Sequence, residues 1–449
     1  MRIIRKDLLD KEVPNSNPTI GYFPARTNVR EEAFDWEIAK GVVIRNLYGK
    51  IVSSTLKVEE DEPLYNNFRA LCKHAYEDKL DDPAMWEYID SMYFSSEAFY
   101  KIAPECQLFK IFAGFKSSKN PLCDLFSSLM QDYHNPDPER IQRNFLEEVL
   151  VKKLRSNEVL VDFSGSRLSK GIDEEAYLPF LSDLFCKDIQ LLSDYPKYLI
   201  QNLEEFLKLY GYLYTAQLAL NINGWKDGEP KVRPVYFILE NETASVERTD
   251  LTRNGHQNVA KSLGLIFPYL TMSEAIQNID EQKVRKPLWK MRGLVTTEDA
   301  DGLRKYAEAF AEQRDISLES DLSNTDEIYW LEELLKLSVR QFERGTSRAS
   351  AHGKFIKSTE NELCSTFVRN RGRVGKILVM NQDYLSILTN LAIGENDRLR
   401  FQDLLVEFTK RGVNFDKRSQ QALIKFYDRV GNVERMSDSG DAVYVRKTV

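Results

Sequence analysis

Cysteine and histidine are scarce in this chain and poorly placed for metal or redox chemistry. The 449 residues include five cysteines and four histidines. No pair of cysteines and no pair of histidines has the short spacing that zinc sites commonly use. Widely spaced cysteines in a chain of this size predict free and mostly buried thiols in a reducing compartment. We therefore expect no metal site and no disulfide framework.

Long hydrophobic runs are also missing. The most apolar stretches, 212–222 and 263–272, fall well short of the ~20 residues that a bilayer requires. The first ten residues contain no apolar segment of the kind found in secretory signals. A hydrophobic fraction of 42% nevertheless suffices to fill cores, which excludes disorder as the main character. These observations predict a folded cytoplasmic protein that does not contact membranes.

Three kinds of catalytic site, a phosphate-binding loop, a serine nucleophile and a carboxylate-metal nuclease, have no convincing motif in the sequence. The segment 372–376 has the wrong glycine spacing for a phosphate-binding loop, and the serine motif GxSxG does not occur. Glu281, Gln282 and Lys283 form the only near match to a carboxylate-metal nuclease that we consider, but their surroundings predict a helix. We therefore predict no catalytic residue, no metal and no cofactor. A nuclease with carboxylates scattered along the chain stays open as an alternative.

Charge of either sign is abundant but unevenly distributed. The net charge is −7, with 62 basic and 69 acidic residues in total. Residues 340–449 carry 20 basic and 13 acidic side chains, a net of +7, so the first 339 residues carry −14. Within the tail, 340–376 alone is net +6. Any contact with nucleic acid is therefore expected at this end, while the acidic remainder suits protein partners.

The patterning predicts a mainly α protein with short β elements (α+β), built as a multi-domain helical body with a C-terminal winged helix-turn-helix. We expect a mixed N-terminal domain (1–150), a mainly helical central domain (151–339) and a basic, winged-helix segment (340–449). In the first domain, 41–44 and 51–58 resemble strands. The clearest helix is 197–222, whose apolar residues repeat every three or four positions and predict a core stripe. Further helices are expected at 257–263, 272–278, 299–314 and 325–344, and a strand at 234–239.

The last 70 residues predict three helices followed by a β-hairpin. The first helix runs from Tyr384 to a stop at Gly394, and the second from Leu399 through Phe408. Residues 411–416 form the turn, in which Gly412 suits a left-handed position and Asp416 an N-cap. Helical spacing places Ser419, Leu423, Phe426 and Val430 on the buried side of the third helix and Lys417, Gln421, Lys425 and Asp428 on the opposite side. Segments 433–436 and 442–446 are expected to pair around a turn at 437–441, completing a winged helix.

Amide and cationic side chains on such a helix read base edges and phosphates in the major groove. Glycine-flanked arginines at 369–376 are expected to follow a phosphate backbone. A solvated loop, or a surface that docks acidic protein, is the alternative for the same charges, and many winged helices bind proteins. The predicted contacts to double-stranded DNA are Arg369, Arg371, Arg373, Lys376, Lys417, Arg418, Gln420, Gln421, Lys425, Arg435 and Arg446.

The same tail resembles a known family. The segment RGVNFDKRSQQALIKFYDRVGNVERMSDSGDAVYV (411–445) is similar to the DptG (DndG) component of bacterial phosphorothioation-dependent DNA restriction systems. The stretches 379–393, 175–185, 213–222 and 233–239 support the resemblance, which covers about the last two thirds of the chain. The first 150 residues add little to it.

This resemblance implies a non-catalytic subunit of an anti-phage complex. Such a subunit would act with two partners, DptF-like and DptH-like proteins, at least one of which looks like an ATPase, against DNA that lacks phosphorothioate marks. The family supplies no catalytic residues to transfer. A pure scaffold, whose winged helix binds a partner protein, stays open as a further alternative.

Overall fold

A computed structural model describes residues 3–8, 13, 16–18, 20–25, 34–56, 65–77, 79–80, 82, 84–94, 98–111, 120–131, 133, 145–165, 167–168, 171–435 and 443–448. Over these residues the protein is mainly helical with small sheets, which confirms the predicted mainly α class with short β elements. Within the same ranges, every helix is too short or too polar to cross a bilayer.

The helices are α1 (Trp36–Tyr48), α2 (Asn66–Glu77), α3 (Met85–Tyr93), α4 (Pro121–Leu129), α5 (Phe145–Leu154), α6 (Pro179–Ser193), α7 (Pro196–Ile222), α8 (Thr249–Arg253), α9 (His256–Ile276), α10 (Ile279–Gln282), α11 (Leu288–Met291), α12 (Ala300–Arg314), α13 (Glu327–Arg340), α14 (Ala349–Thr359), α15 (Gln382–Ile393), α16 (Phe401–Lys410) and α17 (Lys417–Arg429). The strands are β1 (Lys50–Val52), β2 (Leu160–Asp162), β3 (Asp173–Glu174), β4 (Val235–Leu239), β5 (Val284–Arg285), β6 (Val368–Asn370), β7 (Lys376–Met380), β8 (Arg398–Arg400), β9 (Val413–Phe415), β10 (Val433–Arg435) and β11 (Val443–Arg446).

The chain divides into two compact units. One comprises residues 33–170 and 184–207 and contains the antiparallel pair β1–β2. The other comprises 1–32, 171–183 and 208–448. This unit therefore includes residues from both sides of position 340, which separates the net negative part of the sequence from the net positive part.

A four-stranded sheet organises the larger unit, in the order β6-β7-β4-β9. Strand β4 pairs in parallel with β7 on one side and with β9 on the other, while β6 is antiparallel to β7. The sequence VYFIL of β4 is aromatic and branched, as expected for a strand buried between two neighbours. The predicted strand at 234–239 is thus confirmed, but it is an inner strand that joins segments distant in sequence.

Helix α7 confirms the core stripe predicted at 197–222. Its aromatic and leucine side chains are buried, including Phe206, Tyr210 and Tyr212. Tyr212 contacts the rings of Phe237 in β4 and Phe367, with centroids 5.8 Å and 5.1 Å apart. These aromatic residues therefore pack the interior and do not form a surface on which bases could stack.

The strand predicted at 41–44 is wrong, because these residues lie inside α1. The Asp35 side chain accepts a hydrogen bond from the amide of Ile38 (3.1 Å) and begins the helix, and Gly49 at φ +61° ends it. Val42, Val43 and Ile44 are all buried. A helix that is buried on several sides loses the 3.6-residue alternation, so a branched run resembles a strand. The run predicted at 51–58 contributes only to β1, and its last two residues lie outside the described ranges.

Other predicted helices are present with changed limits. The helices expected at 257–263 and 272–278 are one continuous helix, α9, which contains Pro268. Those expected at 299–314 and 325–344 are α12 and α13. All five cysteines are free and four are buried, as predicted, while Cys186 is half-buried.

Candidate nucleic-acid interface

Helix α17 begins at a well-formed cap. The Oδ1 atom of Asp416 accepts a hydrogen bond from the amide of Ser419 (2.9 Å), which satisfies one of the free amides of the first turn. Gly412, four residues earlier, has φ +81°. A Cβ atom there would lie 2.2 Å from Nε2 of Gln217, so the turn needs glycine for space as well as conformation. The predictions for Asp416 and Gly412 are both confirmed.

The two sides of α17 separate largely as predicted. Ser419, Leu423 and Phe426 are buried, while six polar or charged side chains face solvent. Val430 is the exception, because the helix ends at Arg429 and leaves the Val430 side chain 45% exposed. The exposed residues are Lys417, Arg418, Gln421, Lys425, Asp428 and Arg429.

Gln420 differs from its neighbours on this helix. It is half-buried, and its Nε2 donates a hydrogen bond to the backbone carbonyl of Phe415 (2.8 Å). This bond uses one of the two N–H groups of the amide and fixes its orientation, which leaves the second N–H and Oε1 for any contact to DNA. Gln420 therefore fits a role in holding the turn better than the predicted role in base reading.

Four cations of α17 carry charge that no acid offsets within the described residues; one is Arg429, and the other three are predicted DNA contacts. Lys417, Arg418 and Lys425 are exposed and form no ion pair there. Ion pairing by a neighbouring acid competes with phosphate binding, because the acid neutralises the charge and orients the side chain away. The first three turns of the helix thus present an electropositive surface of the kind that phosphates attract.

The arginines of strands β10 and β11, unlike the cations of α17, are paired with acids. Arg435 is bound to Asp428 (2.9 Å) and Arg446 to Glu434 (3.0 Å), although both arginine side chains are more than half exposed. Arg398 also contacts Glu434. The hydrogen bonds from Arg398 and Arg446 lower the pKa of Glu434, which keeps its carboxylate charged. The predicted contacts Arg435 and Arg446 are therefore partly neutralised in the free protein.

The arginine-rich segment 369–376 folds into a defined turn. The amide of Arg371 donates to the carbonyl of Gly375 (2.9 Å), and glycines at φ +59° and +81° close the loop. Lys376 is paired with both carboxylate oxygens of Glu360, at 2.9 and 3.0 Å. Arg373 is exposed and unpaired within the described residues. Of the four predicted contacts in this segment, Arg373 retains the most available charge.

Arg369 and Arg371 bind backbone oxygens. Arg369 donates to the carbonyl of Ser365 (2.6 Å) and Arg371 to that of Glu240 (3.1 Å), and both remain exposed. The segment spans the end of the edge strand β6, the turn and the start of its neighbour β7, whereas α17 follows β9 at the other edge of the same sheet. Arg435 and Arg446 belong to a second sheet, in the order β10-β11-β8. The structure therefore places the predicted contacts of this segment and those of α17 in separate groups.

A buried ionic network fixes the start of α17. Arg248 donates to both carboxylate oxygens of Asp416 (2.6 and 2.7 Å) and to the hydroxyl of Ser419 (2.7 Å). Its other nitrogen lies 3.0 Å from Oε1 of Glu242. Burial by itself would raise the pKa of Asp416, but the hydrogen bonds from Arg248 and Ser419 outweigh it and lower that pKa. The bidentate geometry is a strong form of charge-assisted bond.

No sequence pattern marks Arg248 or Glu242 as part of this site. Arg248 lies 168 residues from Asp416, in a loop that shows no distinctive pattern. An arginine beside threonines and acids in a loop is typical of a solvated surface. Pairing between β4 and β9 is what brings the two segments together, and no short-range pattern predicts that pairing.

The alternative metal site does not assemble among the residues that the structure describes. The side chain of Glu281 accepts a hydrogen bond from Asn278 (2.6 Å), and Lys283 ends α10 with φ +56°. In the part of the chain that the structure describes, no three His, Cys, Asp or Glu side chains are arranged to hold a metal ion.

Comparison with known proteins adds no identification. No protein-family model matches the chain, and no curated protein is significantly similar to it.

Proposed function

We propose that this protein is a non-catalytic subunit of a bacterial anti-phage restriction complex of the DptG (DndG) type, and that α17 contacts double-stranded DNA. The observation that carries the proposal is an exposed set of cations, Lys417, Arg418 and Lys425, that have no ion pair with any residue the structure describes. They lie on a helix whose first turn is anchored by a buried ionic network. The resemblance of residues 411–445 to that family supplies the biological setting.

Residues 382–448 support the assignment of a winged helix. The elements follow as helix, strand, helix, strand, helix, strand, strand, and the first strand, β8, pairs with the last, β11. The strand between the second and third helices, β9, pairs with β4 of the four-stranded sheet. Strands β10 and β11 are antiparallel, with Val433 opposite Val445. In this arrangement the third helix is the one that enters the major groove, and the turn between the strands contacts the backbone. The predicted turn at 437–441 lies outside the described residues.

Protein partners, proposed to be DptF-like and DptH-like, need a separate surface. Helix α3 of the smaller unit exposes Met85, Tyr88 and Met92 at 47%, 69% and 58%. These residues follow one another at three- and four-residue spacing and so share a side of the helix. Flexible methionines and an aromatic ring are common at protein-binding surfaces. We assign this side of α3 to partner docking.

Salt-dependent binding to a duplex tests the DNA contact. We expect the logarithm of affinity to fall linearly with the logarithm of salt concentration, each phosphate contact contributing a slope of about 0.9. Changing Lys417, Arg418 and Lys425 together to glutamine should therefore reduce the slope by about 2.7. Fluorescence anisotropy with a labelled duplex, with and without phosphorothioate marks, measures both quantities.

A matched control removes the same net charge elsewhere. Lys290, Lys305 and Lys336 are comparably exposed but paired with acids. Their joint change to glutamine should leave the slope within about 0.5 of the wild-type value, because they make no phosphate contact under the proposal. A slope unchanged by the α17 substitutions, or reduced equally by the control, contradicts the proposed contact.

A scaffold role is the second candidate, and the pairing of Arg435 and Arg446 with acids favours it. Those pairs leave less charge on the strands that would meet DNA. A complex with partner subunits that survives high salt, combined with no measurable duplex affinity, would support the scaffold. Mg²⁺-dependent nicking by this chain alone, lost on Glu281→Gln, would instead support the nuclease alternative.

A further inference from the structure

A pocket lies beside α17, at the carboxyl ends of β4 and β7. It is formed by the loop after β4, the first residues of α15 and one side of α17, and has a volume of about 150 Å³. In sheets with parallel strands, ligands bind outside the carboxyl ends, where the connections leave in different directions. The connection after β4 leads to α8, and that after β7 leads to α15. The pocket therefore occupies a position where such folds bind small molecules.

The interior of the pocket is apolar. Leu239, Met380, Leu385 and Phe426 line it, and each is at least nine-tenths buried. A cavity of this volume accommodates a single six-membered ring. The apolar floor and the Phe426 ring thus favour a ligand with one flat or compact apolar group.

The rim adds charge of one predominant sign. Lys425 and Arg429 line the pocket from α17, and both are exposed without an ion pair among the described residues. Glu242 also lines it, but its charge is partly offset by Arg248 at 3.0 Å, a cation that it shares with Asp416. Glu240 is exposed at the edge, where water and salt screen it. The rim thus carries two exposed cations, one exposed acid and one partly offset acid, and this small positive excess favours an anionic ligand.

We propose that this pocket binds a small organic anion, with a ring-sized apolar group against Phe426 and a carboxylate or phosphate held by Lys425 and Arg429. The side-chain amides of Asn241 and Gln382 at the rim can donate further hydrogen bonds to such an anion. Lys425 belongs both to this pocket and to the proposed DNA surface.

The test uses phenyl phosphate as the probe and the methyl group of Met380 as the reporter. The full-length protein is labelled with ¹³C at the methionine methyls, and the Met380 signal is assigned from its loss in Met380→Leu. Phenyl phosphate should shift this signal saturably, while the Met85 and Met92 signals of α3 stay in place. Benzyl alcohol and inorganic phosphate, which each supply half of the ligand, should bind at least roughly fivefold more weakly.

Variants separate the pocket from the rest of the helix. Lys425→Gln and Arg429→Gln should each weaken phenyl phosphate binding roughly fivefold, as expected for partly exposed charges. Ala422→Leu should abolish binding by filling the pocket, with circular dichroism showing that the helix persists. Arg418→Gln, on the same helix but outside the pocket, should have no effect.

No saturable shift of Met380 in the millimolar range overturns the proposal. Equal affinity for inorganic phosphate, or an equal effect of Arg418→Gln, also overturns it, because either result means that charge alone attracts the probe. No DNA is present in these measurements, so their outcome is independent of whether α17 contacts DNA.

Discussion

Replacing Arg248 with methionine tests whether the buried network sets the stability of α17. The side chains of Arg248, Glu242 and Asp416 are only 6%, 9% and 13% exposed. Methionine preserves much of the volume but leaves two buried carboxylates without their cation. Removing one partner of a buried ion pair costs about 3–5 kcal/mol. We expect a value near the lower limit, about 3 kcal/mol, because Asp416 keeps its bond from the Ser419 amide.

Hydrogen exchange measured by mass spectrometry is the suitable assay, since a chain of two units need not unfold in one step. A loss of about 3 kcal/mol corresponds to roughly 150-fold faster exchange of the α17 amides. Arg253→Met is the control, because it removes an exposed cation from the nearby helix α8. It should change the free energy of opening of α17, measured by exchange, by less than about 0.5 kcal/mol. Asp416→Asn keeps a capping side chain while removing its charge.

Combining Arg248→Met with Asp416→Asn should cost less than the sum of the two single changes, by about 1.5 kcal/mol or more, because the double variant buries one fewer unpaired charge. Strict additivity, or a cost of Arg248→Met below about 0.5 kcal/mol, would refute this account of the network.

The pH dependence has a defined sign. The pKa of Asp416 is lowered in the folded protein, so its contribution to stability is present above the unfolded pKa of about 3.9. That contribution is lost as pH falls through the lowered folded value. The protection factors of the α17 amides, which take account of the slower intrinsic exchange in acid, should fall below about pH 4 in the wild type. Asp416→Asn should remove this part of the acid sensitivity.

Two further substitutions and one chemical modification follow from the same structure. Gly412→Ala should destabilise the protein by about 2 kcal/mol or more, because of the positive φ and the close Gln217 side chain. Gly353→Ala, inside α14 with open space around it, should stabilise the protein by about 0.5–1 kcal/mol. Thermal denaturation measures both changes, and equal effects of the two would contradict this reasoning. Burial raises the pKa of the Cys364 thiol to about 12 and raises the pKa values of Cys72 and Cys123 further. Iodoacetamide should therefore modify these thiols far more slowly in the native protein than in urea at the same pH. Modification of Cys123 at the same rate in both conditions would show that its thiol is accessible.

Much of the secondary structure of the C-terminal segment is predictable because it is locally encoded. The cap at Asp416, the glycines at 394 and 412 and the amphipathic spacing of α17 each act within a few residues. The same locality explains the error at Leu399, which was expected to begin the second helix. Leu399 lies in β8 opposite Val445, and α16 begins at Phe401. Its strand conformation depends on a partner 46 residues away, which helical spacing does not detect.

The environment of the candidate site is less predictable, because charge composition does not show how charges are paired. Lys376 and Arg373 lie three residues apart in the sequence, yet Lys376 is paired with Glu360 and Arg373 is not paired within the described residues. Likewise, the sequence pattern predicts only a turn at 411–416, the segment that contains β9. Its three residues form a strand because β4, from the middle of the chain, provides the neighbouring edge.

The position of β4 between β7 and β9 also has a consequence for synthesis of the chain. On the ribosome, β4 emerges about 140 residues before β7 and about 175 before β9. At the usual rate of about 5–20 residues per second, both of its edges wait on the order of ten seconds for their partners. VYFIL is an uncharged aromatic segment of the type that pairs with other chains when exposed. During that interval the nascent chain must keep this strand covered, and a shortened chain that ends before residue 376 would leave β4 without either of its neighbours β7 and β9.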